Sequence, residues 1–240
     1  NKEETVVYSA FLAEHFPRAV ELLADIVFHS TFPQAEIDKE VEVIIDEIQS
    51  YEDSPCELIF DDFEELIFPN HPLGRNILGK PDLLHQFKTE DALRFTHRYY
   101  RPENVIFFVQ GNVDFKRVVR LVEKATADLN SSASMFERKH PDIYVPKTLT
   151  LHRDTHQAHV MIGSRGYDAH NEKRTALYLL NNILGGPGMN SRLNVALRER
   201  SGLVYNVEAN LTSYTDTGVF CIYFGTEHDH VERCIRFVKK

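Results

Sequence analysis

The sequence predicts an α+β protein in which a two-layer unit of strands and helices occurs twice. Three observations carry this. Short apolar runs of strand character are interleaved with longer runs of helical period. Hydrophobic residues make up 42% of the 240 positions, which supports a real core, and the length allows one or two domains. The segment VVYSAFLAEHFPRAVELLADIV, from Val6, is also echoed by VFCIYFGTEHDHVERCIRFV, from Val219. Each is an apolar run, then Glu-His, then a helix-period stretch. Glu14 and Glu227 stand 213 residues apart, a spacing suited to a whole domain.

Taken in order, Thr5 to Leu12 reads as a strand and Pro17 to Ser30 as a helix with proline in its first turn. Pro33 to Tyr51 reads as a long acidic helix, and Cys56 to Ile67 as an amphipathic one. A loop rich in proline and glycine follows, from Pro69 to Gly79. Glu90 to Tyr99 is helical with Thr89 as N-cap, Val105 to Gln110 a strand, and Asp114 to Leu129 a helix. The Ser-rich, then basic and proline-containing stretch from Asn130 to Pro146 reads as a linker. Strands are predicted at Leu149 to His152, His159 to Ser164, Val204 to Leu211 and Gly218 to Phe224. Helices are predicted at Glu172 to Leu184 and Ser191 to Arg200, with Gly202 ending the latter.

Composition removes some functions. A net charge of −9 and a pI near 5.7 argue against a nucleic-acid partner, since phosphate binding needs a basic surface. Cys56, Cys221 and Cys234 form an odd set with no C-x-x-C spacing, which favours buried thiols and a cytoplasmic, reducing location; export stays open. No run of 18 apolar residues suggests a membrane span.

The long acidic helix carries the chemistry. In IDKEVEVIIDEIQSY, Ile37, Val41, Ile44, Ile45 and Ile48 form one apolar face. Glu40 and Glu47, one heptad apart, border that face together and are expected to be half-buried. A half-buried carboxylate needs a partner, and a metal ion or its supporting shell is one candidate; two solvated acids edging the stripe are the other.

Four ordered segments resemble the insulinase or pitrilysin class of zinc peptidases, which includes the mitochondrial processing peptidases and their bacterial relatives. They are EVEVIIDEIQSYEDSP from Glu40, HPLGRNILG from His71, YYRPENVIFFVQGNVD from Tyr99, and LGGPGMNSRLNVALRERSGLVYNV from Leu184. The resemblance implies two homologous two-layer αβ domains of the processing-peptidase (LuxS-like) type. Here they would run 1–130 and 149–240 around a linker at 131–148, both incomplete. It implies a zinc-dependent endopeptidase acting on peptides or unfolded segments in a cleft. Glu47 matches the metal-ligand glutamate, and Glu40 the supporting glutamate before it. Arg198 and Tyr205 match the pair that holds substrate and steadies the tetrahedral intermediate. Gly185 and Gly186 fall in a loop similar to the glycine-rich loop that contacts extended substrate. The family also implies pairing, as a homodimer or with a related subunit.

The family's H-x-x-E-H pentad, which supplies two histidine ligands and a general base, does not occur. The nearest string, Phe11-Leu12-Ala13-Glu14-His15, has phenylalanine at the first ligand position and follows a strand-like run. The second copy of the internal echo has a longer stretch of its own domain before it than the first copy has. The pentad is therefore expected upstream of Asn1, and these 240 residues alone are expected to be inactive and without zinc. The alternative is a non-catalytic family member that scaffolds or presents peptide.

Other constellations are weaker. His152 and His156 would share a strand face without His159, and His228 and His230 lie in a turn. Gly185, Gly186 and Gly188 precede a helix, but no Gly-Lys-Ser/Thr follows to make a phosphate loop. His71 and Arg75 read as loop anchors.

Overall fold

The computed structural model describes residues 1–129 and 138–240. Its contacts gather into two compact units. Among the described residues, one comprises Asn1, residues 3–46 and 80–129; the other comprises Lys2, residues 47–79 and 138–240. The compact units thus cut the chain differently from a division near residue 130, because residues 47–79 keep company with the C-terminal part.

The first unit is helical among its described residues. Helix α1 (Phe16–Phe28) starts with Pro17 in its first turn, and α2 (Gln34–Glu52) runs on past the unit's boundary at Asp46. Phe16, Ala19, Val20, Val41 and Leu84 are the buried apolar residues here. Between α2 and α5 (Thr89–Tyr99) lie α3 (Pro55–Ile67), which belongs to the second unit, and the single turn α4 (Pro81–Leu84). The N-cap of α5 is Lys88 rather than the predicted Thr89. Asp91 accepts from the Lys88 backbone N–H at 3.1 Å, while the Thr89 hydroxyl donates to the Phe32 carbonyl at 2.7 Å. Thr89 thereby ties the start of α5 to the turn before α2 instead of capping its own helix. Asp114 does cap α6 (Phe115–Ala125), accepting from Arg117 N–H at 2.8 Å.

Two predicted strands in this unit, Thr5 to Leu12 and Val105 to Gln110, have no sheet partner among the described residues. Tyr8 is 84% exposed and Ile106 94%. An apolar run becomes a strand only when a neighbour supplies the ladder, so the pattern alone overcalled both. Leu149 to His152 in the second unit fails for the same reason.

The second unit is built on an antiparallel sheet of order β1-β3-β2, from β1 (Ala158–Gly166), β2 (Val204–Ser213) and β3 (Gly218–Thr226). Gly163 lies so close to β3 that a Cβ would meet the Phe220 carbonyl oxygen at 2.2 Å, so only glycine fits. One sheet face buries Val207, Ala209, Ile222 and Phe224 against Leu193, Leu197 and Cys234, with Leu184 of α7 (Arg174–Gly185) at the margin. Cys234 comes from α8 (Val231–Val238). The other face packs Val219 and Cys221 against Phe63 and Ile67 of α3, together with Phe68, Leu73 and Tyr214. This is a two-layer αβ arrangement with an additional helix beneath, in keeping with the α+β class.

Of the segment predicted as a linker, residues 130–137 lie outside the described residues. Residues 138–146 run as an extended strap fastened to the second unit. Arg138 and His140 reach Asp216 at 2.8 and 2.9 Å, the Lys139 carbonyl meets His71 Nε2 at 2.9 Å, and the Asp142 carbonyl accepts from Arg165. His71 is the loop anchor its position predicted: its Nδ1 accepts from Leu73 N–H at 3.2 Å, leaving Nε2–H to donate to the strap.

Candidate functional site

Glu40 and Glu47 both lie on α2, one heptad apart. Both are exposed, not half-buried as their place beside the apolar stripe predicted. Of that stripe only Val41 is fully buried; Ile37, Ile44, Ile45 and Ile48 are half-covered, so the flank carrying the glutamates stays in water. Among the described residues no group of three His, Cys, Asp or Glu side chains could hold a metal ion. Glu47 is a single carboxylate, and one exposed carboxylate binds zinc poorly. These residues do not by themselves fit a zinc centre. The Glu14-His15 pair sits exposed in a short turn, Ala13–His15, leading into α1.

Arg198 and Tyr205 are displayed by two local irregularities of the second unit that the sequence did not announce. Residues Asn194–Glu199 wind as a π-helix, with Arg200 N–H reaching the Val195 carbonyl at 3.0 Å. Leu197 is fully buried beneath this turn while Arg198 next to it is exposed. Gly202, at φ 58°, closes the segment by donating to the Arg198 carbonyl at 2.9 Å, the stop its sequence predicted. Tyr205 is the extra residue of a β-bulge: Val204 pairs with Thr226 and Asn206 with Gly225. The bulge turns the ring outward to 56% exposure, where its hydroxyl donates to Glu227 Oε1 at 3.3 Å. An arginine and a tyrosine so displayed offer a cation and a neutral hydrogen-bond donor to a carbonyl or carboxylate.

Gly185 and Gly186 sit where α7 ends. A Cβ on Gly185 would meet Ala209 N at 2.6 Å, so this glycine lets α7 lie directly on β2. A Cβ on Gly186 would meet its own helix at Asn182 Cα, 2.8 Å away. The loop beyond, from Pro187 to Asn190, is exposed and is held by Asn194, whose amide donates to the Met189 carbonyl at 2.8 Å.

A second polar cluster escaped sequence reasoning. Tyr223 is buried, its hydroxyl 2.9 Å from His159 Nδ1, and Phe60 of α3 packs on its ring. Burial first, with the charges of Cys56 and Glu208 added, pushes the Tyr223 phenol up to about 12. Burial likewise lowers His159, which favours its neutral ring, and the imidazole Nδ1 and the phenol share one hydrogen bond. The pairing depends on β1–β3 register, which no local pattern reveals. His152 and His156 are exposed and take no part in the cluster.

Two family descriptions match the chain: "Insulinase (Peptidase family M16)" over residues 1–81 and "Peptidase M16 inactive domain" over residues 86–240. The uncharacterized zinc protease YmxG of Bacillus subtilis is 36% identical over 233 residues, covering 97% of this chain and 56% of that protein. An uncharacterized zinc protease of Rickettsia bellii is 36% identical over 232 residues, covering 96% and 55%. The chain therefore spans little more than half the length of these relatives. Among solved structures, a protease from Helicobacter pylori superposes with a TM-score of 0.84 at 21% identity, over 94% of this chain and 56% of that one. At that identity the likeness speaks for the fold.

Proposed function

Because this chain belongs to the M16 (insulinase) peptidase family, we propose that the full-length protein is a zinc-dependent endopeptidase. Its substrates would be peptides or unfolded segments. Glu47 would supply one zinc ligand, Glu40 would orient the site, and the remaining ligands would come from residues outside these 240. The sequence division at 130 and 149 into two homologous domains belongs to the same proposal. In it, the first domain lends α3 to the sheet of the second.

The observation that carries this reading is the presentation of Arg198 and Tyr205. Each stands exposed on an irregular element directly beside buried core, Leu197 under one and the Val204–Thr226 pair beside the other. Irregular backbone at such positions is retained where it aims a side chain. Both fall in the segment that matches the family's inactive domain, which suits groups that hold peptide rather than metal. Gly185 and Gly186 would shape the loop that passes along the peptide. A subunit that only scaffolds its partners has no need of this set.

The test is Glu47→Gln in the full-length protein. Glu47 is exposed, so the fold is unaffected, within about 0.5 kcal/mol, while peptide hydrolysis and bound zinc are both lost. Retained hydrolysis with zinc still bound would defeat the assignment. A parent protein that hydrolyses no peptide, with Glu47 in place, would favour the scaffolding role.

A further inference from the structure

We propose that Glu227 parks the Tyr205 hydroxyl, and that a substrate oxygen must displace this carboxylate before Tyr205 can act. The inference rests on the reading of Tyr205 as a group that contacts peptide.

Sheet register brings the two residues together. Glu227 directly follows Thr226, the β3 partner of Val204, and Tyr205 is the unpaired residue of the adjoining bulge. The phenol oxygen lies 3.3 Å from Glu227 Oε1. A phenol carries one O–H and donates to one acceptor at a time, so donation to Glu227 and to a substrate carbonyl exclude each other. The carboxylate is free for this task. Glu227 is the N-cap of the short turn His228–His230, yet its side chain makes no capping bond; the turn is closed by backbone, His230 N–H to Glu227 carbonyl at 3.0 Å. Its second oxygen lies 4.0 Å from His230 Nδ1, beyond hydrogen-bond distance.

Exchange of one acceptor for another follows. Before substrate binds, the exposed ring is held in one orientation, with its donor satisfied. When a peptide carbonyl presents itself, the O–H bond turns from carboxylate to carbonyl, and the attraction to Glu227 is forfeited. Glu227 therefore acts through Tyr205 as a positioning residue and sets a threshold that the substrate oxygen must exceed.

The experiment is a double-mutant cycle on peptide hydrolysis by the full-length protein. Glu227→Ala raises kcat/KM by about two- to tenfold, the factor expected when one exposed hydrogen bond to a charged acceptor no longer competes. Glu227→Gln, a neutral acceptor, gives a smaller rise. In a Tyr205→Phe background, Glu227→Ala changes nothing, which a purely structural role would not produce. An unchanged or lower kcat/KM in Glu227→Ala, or the same rise with and without the Tyr205 hydroxyl, overturns the proposal. If Glu47→Gln abolishes hydrolysis and Tyr205→Phe lowers kcat/KM, such a result falls on Glu227 alone. If Glu47→Gln and Tyr205→Phe both leave hydrolysis intact, the peptidase site is misassigned and the parking role falls with it.

Discussion

Replacing Gly185 by alanine separates packing from peptide contact at the end of α7. The new Cβ would stand 2.6 Å from Ala209 N and 3.0 Å from Ala209 Cβ, where an ordinary contact begins at 3.4 Å. The obstacle is strand backbone, so α7 and β2 must part by about 0.8 Å, which costs about 2–3 kcal/mol as overpacking. Alanine's better helix propensity returns less than ~1 kcal/mol at this last helical position. The net loss is about 2 kcal/mol, or a fall in Tm of about 4–8 °C for a unit of this size. Gly188→Ala is the control, because its Cβ would meet only the movable Asn190 side-chain oxygen, at 2.6 Å, and its Tm stays within about 1–2 °C of the parent. Thermal and urea denaturation followed by circular dichroism measure both. A Gly185→Ala protein as stable as its parent would refute the packing argument, and a raised KM in that stable protein would make Gly185 a peptide contact instead.

Three further outcomes are expected. Leu197→Ala, a fully buried side chain beneath the π-turn, should lower stability by about 3–5 kcal/mol in urea; a loss under 1 kcal/mol would mean that the turn has collapsed into the space. Brief maleimide treatment of the folded protein at pH 7.5 should add one label, at exposed Cys56, because Cys221 and Cys234 are buried and the Cys221 thiol is pushed up to about 12 by burial, with Glu64 and Glu208 adding to it; mass spectrometry showing Cys221 labelled equally fast would contradict this. Burial lowers His159 below its ordinary value, so the unfolded chain takes up its proton first as the pH falls. Stability is thus full above about pH 6.5 and declines as the pH drops from there towards the folded-state value, and His159→Gln should flatten that part of a pH series of urea midpoints.

Much of the fold was legible because helices announce themselves locally. The apolar stripe of α2 and Pro17 in α1 each act within a few residues, and each stands where its pattern placed it. Strands were legible only where a partner exists: His159 to Ser164 sits inside β1, whereas Val105 to Gln110, with an equally apolar pattern, pairs with nothing described. The family came from four ordered motifs, which carry far more information than any single helix. The burial of Glu40 and Glu47 was misjudged because helical period gives an angle but not what covers it. The bulge at Tyr205 and the Glu227 contact were invisible because they depend on register between β2 and β3, and the π-turn under Arg198 because one residue added to a helical turn leaves the apolar pattern almost unchanged.

The placement of α3 under the C-terminal sheet has a consequence for synthesis. The Tyr214 hydroxyl donates to Glu64 at 2.8 Å across a separation of 150 residues, and the β3 residues Val219 and Cys221 that cover Phe63 and Ile67 come later still. At about 5–20 residues per second, α3 leaves the ribosome about 8–30 s before its cover exists. Its apolar side must wait for that interval in a crowded solution, where similar surfaces meet and aggregate. Slower synthesis between residues 68 and 219 lengthens that interval in direct proportion.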